Sequence, residues 1–182
     1  MPGSIQALLS HPKILHGQAL LERLAELRAG GKRLVFANGC YDLLHPGHVD
    51  LLNRAKLLGD VLLLALNDDA SVRRLGKGPD RPVNPLEVRM YMAAHLVCVD
   101  LVTSFSEDTP LECIQIVRPQ VLVKGGDWPL EKIVGRGIVE ADGGTVHSLP
   151  LLPGYSTTGL MERIRRVQPV RAKDSGFSAY EG

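Results

Sequence analysis

Several things are scarce in this chain of 182 residues, and each scarcity removes a class of function. Formal net charge is only +1, from 21 basic and 20 acidic residues, with no dense Lys/Arg tract. A nucleic-acid partner held by a basic surface is therefore not expected, because neutralising a phosphate backbone needs clustered cations. The three cysteines, Cys40, Cys98 and Cys113, are scattered without the paired spacing of a zinc site. They read as reduced thiols of a cytoplasmic protein. No apolar run reaches the length needed to cross a membrane, so no membrane partner is expected. The N-terminus lacks the basic region and continuous apolar core of a signal peptide. A Gly-x-x-x-x-Gly-Lys-Ser/Thr loop is absent, as is a dinucleotide fingerprint after the first predicted strand. Hydrophobic content of 45% nevertheless sits near the globular average, and the length suffices for one domain with a substantial core.

What is present centres on Asn38-Gly39-Cys40-Tyr41-Asp42-Leu43-Leu44-His45-Pro46-Gly47-His48. The preceding run Arg33-Leu34-Val35-Phe36-Ala37 is short, apolar and β-branched, as in a buried strand. The following Val49, Leu51, Leu52, Ala55, Leu57 and Leu58 make a broad stripe at helical spacing. Two histidines and a glycine thus fall where a first strand hands over to a first helix, the ligand-binding edge of an open α/β sheet. The first N–H groups of a helix lack partners within it, and its dipole places partial positive charge there. Pro46 suits the first helical position, and Gly47 lets a ligand approach the backbone between the imidazoles. His45 and His48, three apart, share a helical face and can converge on one oxyanion. The residue types describe an anion site.

Taken in order, Ile14 to Leu27 has the spacing of an amphipathic helix that stops at Gly30-Gly31. A strand over 34–38 and a helix over 46–58 follow, then Val61 to Leu66 as a fully buried strand, which implies a right-handed parallel crossover. Asn67-Asp68-Asp69 ends that strand at the same edge. Asn84-Pro85-Leu86-Glu87 and Thr109-Pro110-Leu111-Glu112 share one grammar: a capping residue, proline at the first helical position and a following glutamate. Between those helices Val99 to Thr103 is a predicted strand. Val121-Leu122-Val123 and Thr145 to Leu149 complete the strands, with a short helix over 133–139 between them. Ser156-Thr157-Thr158 opens a last helix with Leu160, Met161 and Ile164 inward. The pattern divides the chain into an N-terminal helical extension (1–31), a folded domain (32–167) and a flexible tail (168–182).

Three further stretches carry chemistry. From Gly76 to Pro85 the chain is rich in breakers and cations, a connection or a mobile flap whose Lys77 and Arg81 reach phosphates. Ser156, Thr157 and Thr158 offer hydroxyls and open N–H groups at a second helix start, which is either a plain cap or a phosphate site. Lys124-Gly125-Gly126-Asp127-Trp128 ends a strand; Trp128 either stacks on a base or fills a gap. A zinc site at His45 and His48 would draw on Cys40, Asp42, His95 or His147, but no second local ligand pair accompanies them, so no protein-held metal is expected.

His45-Pro46-Gly47-His48 after Gly-Cys-Tyr-Asp-Leu-Leu resembles the His-x-Gly-His signature of the cytidylyltransferase-like nucleotidyltransferases, and the resemblance runs from about Lys32 to Arg166. It implies an α/β fold: a Rossmann-like open parallel sheet of about five strands with helices on both faces. Within the family, Phe36 to Asp42, Asn67-Asp68-Asp69, Arg81 to Pro85, Glu107 to Pro110, Leu122 to Asp127 and Ser156-Thr157-Thr158 are similar to enzymes that join ATP to D-glycero-β-D-manno-heptose 1-phosphate. The resemblance implies catalytic roles for His45, His48 and Lys77. It implies nucleotide contacts from Gly39, Cys40, Tyr41, Gly47, Arg89, Ser156, Thr157 and Thr158. Substrate contacts would come from Asn38, Asp42, Lys124, Gly126 and Asp127. Mg²⁺ would ride on the ATP, which it prefers to an all-protein cage. The partners are then ATP and a sugar 1-phosphate, with self-association into a homodimer left open. Tyr41 and Trp128 depart from the Phe and Tyr expected there, and Leu151-Leu152-Pro153-Gly154 lacks the arginine of the glycerol 3-phosphate enzymes. The alternatives are a cytidylyltransferase for a polyol phosphate and a non-catalytic nucleotide-binding module.

Overall fold

The computed structural model describes residues 9–76 and 78–167. Five strands make one parallel sheet: β1 (Leu34–Gly39), β2 (Val61–Asn67), β3 (Leu101–Phe105), β4 (Val121–Gly125) and β5 (Thr145–Leu149), in the order β3-β2-β1-β4-β5. The order reverses between β1 and β4, so a crevice opens beyond their carboxyl ends. The open parallel sheet expected from the sequence is the observed one.

The helices are α1 (Gly17–Ala29), α2 (Pro46–Lys56), α3 (Asp69–Arg74), α4 (Leu86–Ala94), α5 (Leu111–Val117), α6 (Arg136–Ala141) and α7 (Thr157–Arg166), with a 3₁₀ turn at Leu130–Lys132. Alternation along each strand splits the core in two. Val35, Ala37, Leu62, Leu64 and Val123 join Leu52 and Ala55 of α2 and Met90 and Ala93 of α4. Phe36, Leu63, Ala65 and Leu122 join Leu20, Leu24 and Leu27 of α1, Ile114 and Val117 of α5, and Val139 of α6. Burial on both faces is why β1, β2 and β4 are continuously apolar.

Four local expectations give way to tertiary demands. Ile14 and Leu15 are not helical: Ile14 bridges Val102, and the Leu15 N–H donates to the Val102 carbonyl at 2.9 Å. The segment covers the outer edge of β3, whose backbone groups would otherwise lie open. Helix α1 sets Leu20, Leu24 and Leu27 into the core. Neither Asn84 nor Thr109 caps a helix; Pro85 and Pro110 hold the cap positions, without side-chain hydrogen bonds. The helix expected over 133–139 forms at Arg136–Ala141, after a turn at Gly135. Ile164 is exposed, and α7 buries no residue fully. The expected tail lies outside the described residues.

Leu24 is wholly buried. Leu24→Ala should lower unfolding free energy by about 2–5 kcal/mol in urea denaturation. A loss below about 0.5 kcal/mol, as at a surface site, would make α1 an accessory to the fold.

Candidate active site

The site begins where β1 ends. Asn38 and Gly39 pair with Ala65 and Leu66 of β2, and Ala37 pairs with Val123 of β4. One step further along each strand are Asn38 and Lys124, which line a cavity of about 310 Å³ together with Gly39, Cys40 and Trp128. Its remaining wall comes from the start of α5 and the segment around Lys132.

The chain then turns sharply at Tyr41, which holds φ +47° and is 5% exposed. A non-glycine residue in this region is strained, and here packing on both sides keeps it in place. The ring of Tyr41 lies 4.8 Å from that of His48, and a Cβ added to Gly39 would approach it to 3.0 Å. Burial pushes the Tyr41 hydroxyl well above its ordinary range.

Helix α2 starts beyond this turn. His45 is its N-cap, with extended backbone, and Pro46 takes the first position. The His48 N–H is shared between the His45 carbonyl, at 2.9 Å, and the His45 Nδ1, at 3.3 Å. Nδ1 is therefore an acceptor, and Nε2 carries the proton of the neutral ring. The imidazoles stack, 3.7 Å between centroids and 16° from parallel. Burial lowers the His45 pKa below its usual 6.5, favouring the neutral donor. A side chain at Gly47 would come within 3.1 Å of the His45 ring and 3.3 Å of the Tyr155 Cβ. The start of α2 thus abuts the residue before the start of α7. There Ser156 is the N-cap, its hydroxyl accepting from the Gly159 N–H at 3.0 Å. Thr157 and Thr158 follow at a largely exposed helix start. Two helix N-termini, each with open N–H groups, meet beside the histidine pair.

The structure redistributes several expected roles. Arg89 does not face the nucleotide site: its side chain is fully buried. It donates to the carbonyls of Cys40 and Asn67 at 2.8 Å and of Asn84 at 3.0 Å, and to Asp69 at 2.7 Å. Asp42 is likewise no substrate contact but a buried acceptor. It takes the Arg81 guanidinium and the N–H groups of Val83 and Asn84, at 2.9 and 2.8 Å. Arg81, expected to reach phosphates, is spent on this pair because it is itself 7% exposed. The Asn84 amide donates to the Asp42 carbonyl at 2.7 Å, and α4 begins beyond it with Pro85 at the cap. Lys77 lies outside the described residues. Gly126 and Asp127 do not line the cavity; Asp127 is exposed at its margin.

Other participants carried no local signal. Ser148 on β5 receives the Trp128 N–H at 3.0 Å and donates to the Gly126 carbonyl. Ser71 receives the Asn67 amide at 3.0 Å and donates to the Glu107 carbonyl at 2.8 Å. Both are single hydroxyls whose partners are 4 to 36 positions away, so no motif announces them. Among the described residues no group of three or more His, Cys, Asp and Glu could hold a metal ion, and no helix is long and apolar enough to cross a membrane.

The cytidylyltransferase-like family model matches residues 36–148, from within β1 to the penultimate residue of β5. The chain belongs to the cytidylyltransferase-like family of nucleotidyltransferases. It is 50% identical over 155 residues to the bifunctional protein HldE of Trichlorobacter lovleyi, covering 85% of this chain and 31% of that one. It is 56% identical over 146 residues to HldE of Halorhodospira halophila, covering 80% and 30%. The chain therefore spans about a third of the length of these curated relatives. Among solved structures it resembles a lipopolysaccharide core biosynthesis protein from Thermoplasma volcanium, with TM-score 0.55 and 26% identity over 67% of this chain and 98% of that one. The fold is also that of a pantoate-beta-alanine ligase from Francisella tularensis, with TM-score 0.53 and 16% identity over 84% of this chain and 76% of that one.

Two expectations follow from the geometry. Asp42→Ala leaves the Arg81 guanidinium buried without its carboxylate and should destabilise the protein by about 3–5 kcal/mol in urea. A loss under about 1 kcal/mol would mean that the pair is not held as described. The His45 ring protons, followed by NMR, should titrate with a midpoint below 6.5. Because the folded value is the lower one, this histidine's contribution to stability is complete above its unfolded-state pKa and is lost as pH falls through the folded one. A midpoint at or above 6.5 would contradict the half-buried, neutral assignment.

Proposed function

We propose that the protein transfers an adenylyl group from ATP to D-glycero-β-D-manno-heptose 1-phosphate, releasing pyrophosphate and forming ADP-heptose for the lipopolysaccharide core. The observation that carries the reading is the meeting of two helix starts around the stacked His45 and His48. In support stand the resemblance of Asn38 to Asp42 and of Lys124 to Trp128 to heptose enzymes, and the likeness to a lipopolysaccharide core biosynthesis protein. A cytoplasmic location is proposed on three buried, reduced thiols.

In the proposed reaction an oxygen of the sugar phosphate attacks the α-phosphorus of ATP. The bond from that phosphorus to the β-bridging oxygen breaks, and pyrophosphate leaves with the electron pair. The nucleophile is anionic at neutral pH, so no strong general base is needed. Catalysis reduces to aligning two anions and stabilising charge that develops on the α-phosphate and the leaving group. His45, as a neutral donor whose tautomer is set by the His48 N–H, serves the α-phosphate side, and His48 stacks beside it. N–H groups at the start of α7, with Ser156, Thr157 and Thr158, hold the outer phosphates. Backbone N–H groups from Gly39 to Tyr41 hold the nucleotide, Lys77 supplies a further cation, and Lys124 and Asn38 serve the sugar phosphate. Asp127 is assigned to a sugar hydroxyl at the rim. Mg²⁺ suits this donor set only as an ion carried by phosphate oxygens, because Asp42, Asp68 and Asp69 are engaged with Arg81, Ser71 and Arg89. When bound it would neutralise the leaving group.

Pyrophosphate release should be fastest with ATP and heptose 1-phosphate in a panel that includes CTP and glycerol 3-phosphate. His45→Ala and His48→Ala should each lower kcat by about 10²–10³, the usual cost of a lost oxyanion donor. Near-wild-type turnover in either variant would remove that residue from the mechanism. Preference for CTP with glycerol 3-phosphate would overturn the substrate assignment.

A further inference from the structure

The cavity between β1 and β4 has a wall that the proposed reaction does not explain. Trp128, the single tryptophan of the chain, is 49% exposed and faces this cavity. Leaving half an indole in water is unfavourable, yet the chain holds it there by specific means. Gly126 turns the chain back at φ +109°, a conformation that suits only glycine, and a Cβ there would lie 3.0 Å from the indole Nε1. The Trp128 N–H donates to Ser148 Oγ, and that hydroxyl donates to the Gly126 carbonyl, so the turn is fastened to β5. The backbone that carries the indole is fixed.

Two ammonium groups share the cavity. Lys124 Nζ lies over the indole ring, 5.9 Å from its centre, and Lys132 lines the cavity from the 3₁₀ turn. The one carboxylate in the lining among the described residues, Asp108, is paired with Arg74. Asn38 and Thr109 add neutral hydrogen-bonding groups, and Ile133 adds apolar surface. A flat apolar face, neutral polar groups and two cations are what a binder presents to a phosphorylated sugar.

The short distance between platform and cation separates the two substrates. A ring laid on the indole takes the place of the Lys124 ammonium above it, and the displaced ammonium then meets a phosphate borne directly on that ring. In a nucleotide the ribose stands between base and phosphates, so a stacked adenine would put its phosphates beyond Lys124. We infer that Trp128 and Lys132 determine acceptor specificity, holding a pyranose 1-phosphate with the ring on the indole and the phosphate between Lys124 and Lys132. Ser148 is a positioning residue for that platform. The inference rests on the sugar-phosphate reading of the same site and assigns to it two residues outside the family signature.

Because Trp128 is the only tryptophan, its fluorescence reports the platform without need of turnover. Heptose 1-phosphate should change the emission saturably, alone or with a non-hydrolysable ATP analogue present. ATP alone and glycerol 3-phosphate, which has no ring, should leave it largely unaltered. Trp128→Ala should raise KM for the sugar phosphate about tenfold, as expected for a lost ring contact, and at least five times more than KM for ATP. Trp128→Tyr should restore most of the loss, and Lys132→Met should raise the same KM. Emission that answers to ATP and not to the sugar would overturn the inference and make the indole a base platform. Pyrophosphate release with unresponsive emission and an unchanged sugar KM in Trp128→Ala would overturn it while the adenylyltransferase reading stood. Saturable quenching by the sugar phosphate without any pyrophosphate release would do the reverse.

Discussion

A buried guanidinium holds the ligand-binding edge together. Arg89, projecting from α4, gathers the carbonyls of Cys40, Asn67 and Asn84 with the carboxylate of Asp69. These groups close β1, end β2, precede α4 and open α3, so one side chain fixes four segments relative to each other. Such carbonyls would be unpaired at the end of a parallel sheet, where the ladder stops, and an unpaired buried acceptor costs about 1–3 kcal/mol. The planar fork of arginine satisfies several at once, which a lysine could not do.

Asp42 does the complementary work for N–H groups. It lies three residues before the N-cap of α2 and accepts from Arg81 and from the backbone of Val83 and Asn84. The loop before α4 is thereby tied to the signature loop, and the strained turn at Tyr41 is held between two fixed points. A buried pair of this kind contributes little net stability over an apolar substitute, but breaking one half is severe. Its value here is placement. With the turn held, the Tyr41 ring tilts against His48, His48 stacks on His45, and Gly47 between the histidines abuts Tyr155 just before α7. Preorganised donors need no rearrangement as charge develops, which is the main source of electrostatic catalysis.

Residue types in this site thus fall into two populations that look alike in a sequence. Lys124 and Lys132 line the cavity, whereas Arg81 and Arg89 are spent on the frame. Asn38 and Asn67 line the cavity, the Asn67 amide tied to the Ser71 hydroxyl, whereas the Asn84 amide satisfies the Asp42 carbonyl beside it. The frame uses the stronger, bidentate donors because its task is to satisfy desolvated oxygens.

The strands as they follow along the chain, the helices between them and the position of His45-Pro46-Gly47-His48 were legible because they rest on local pattern, whereas the order of the strands in the sheet was not. Continuous apolarity marks doubly buried strands, and a capped turn after the first strand marks the anion site. Asn84-Pro85 and Thr109-Pro110 looked like caps for the same local reason and were not: both helices begin one residue later, after the proline, and the Asn84 amide is bound to the Asp42 carbonyl 42 residues away. The helical period of Ile14 and Leu15 yielded to the open edge of β3. Whether Arg89 or Asp42 meets a ligand could not be read from spacing, since it depends on which desolvated groups the closed fold leaves near them. Periodicity and capping are properties of neighbours in the chain and were determined by the sequence itself. Burial and hydrogen-bond satisfaction are properties of neighbours in space, and these only the tertiary structure decided.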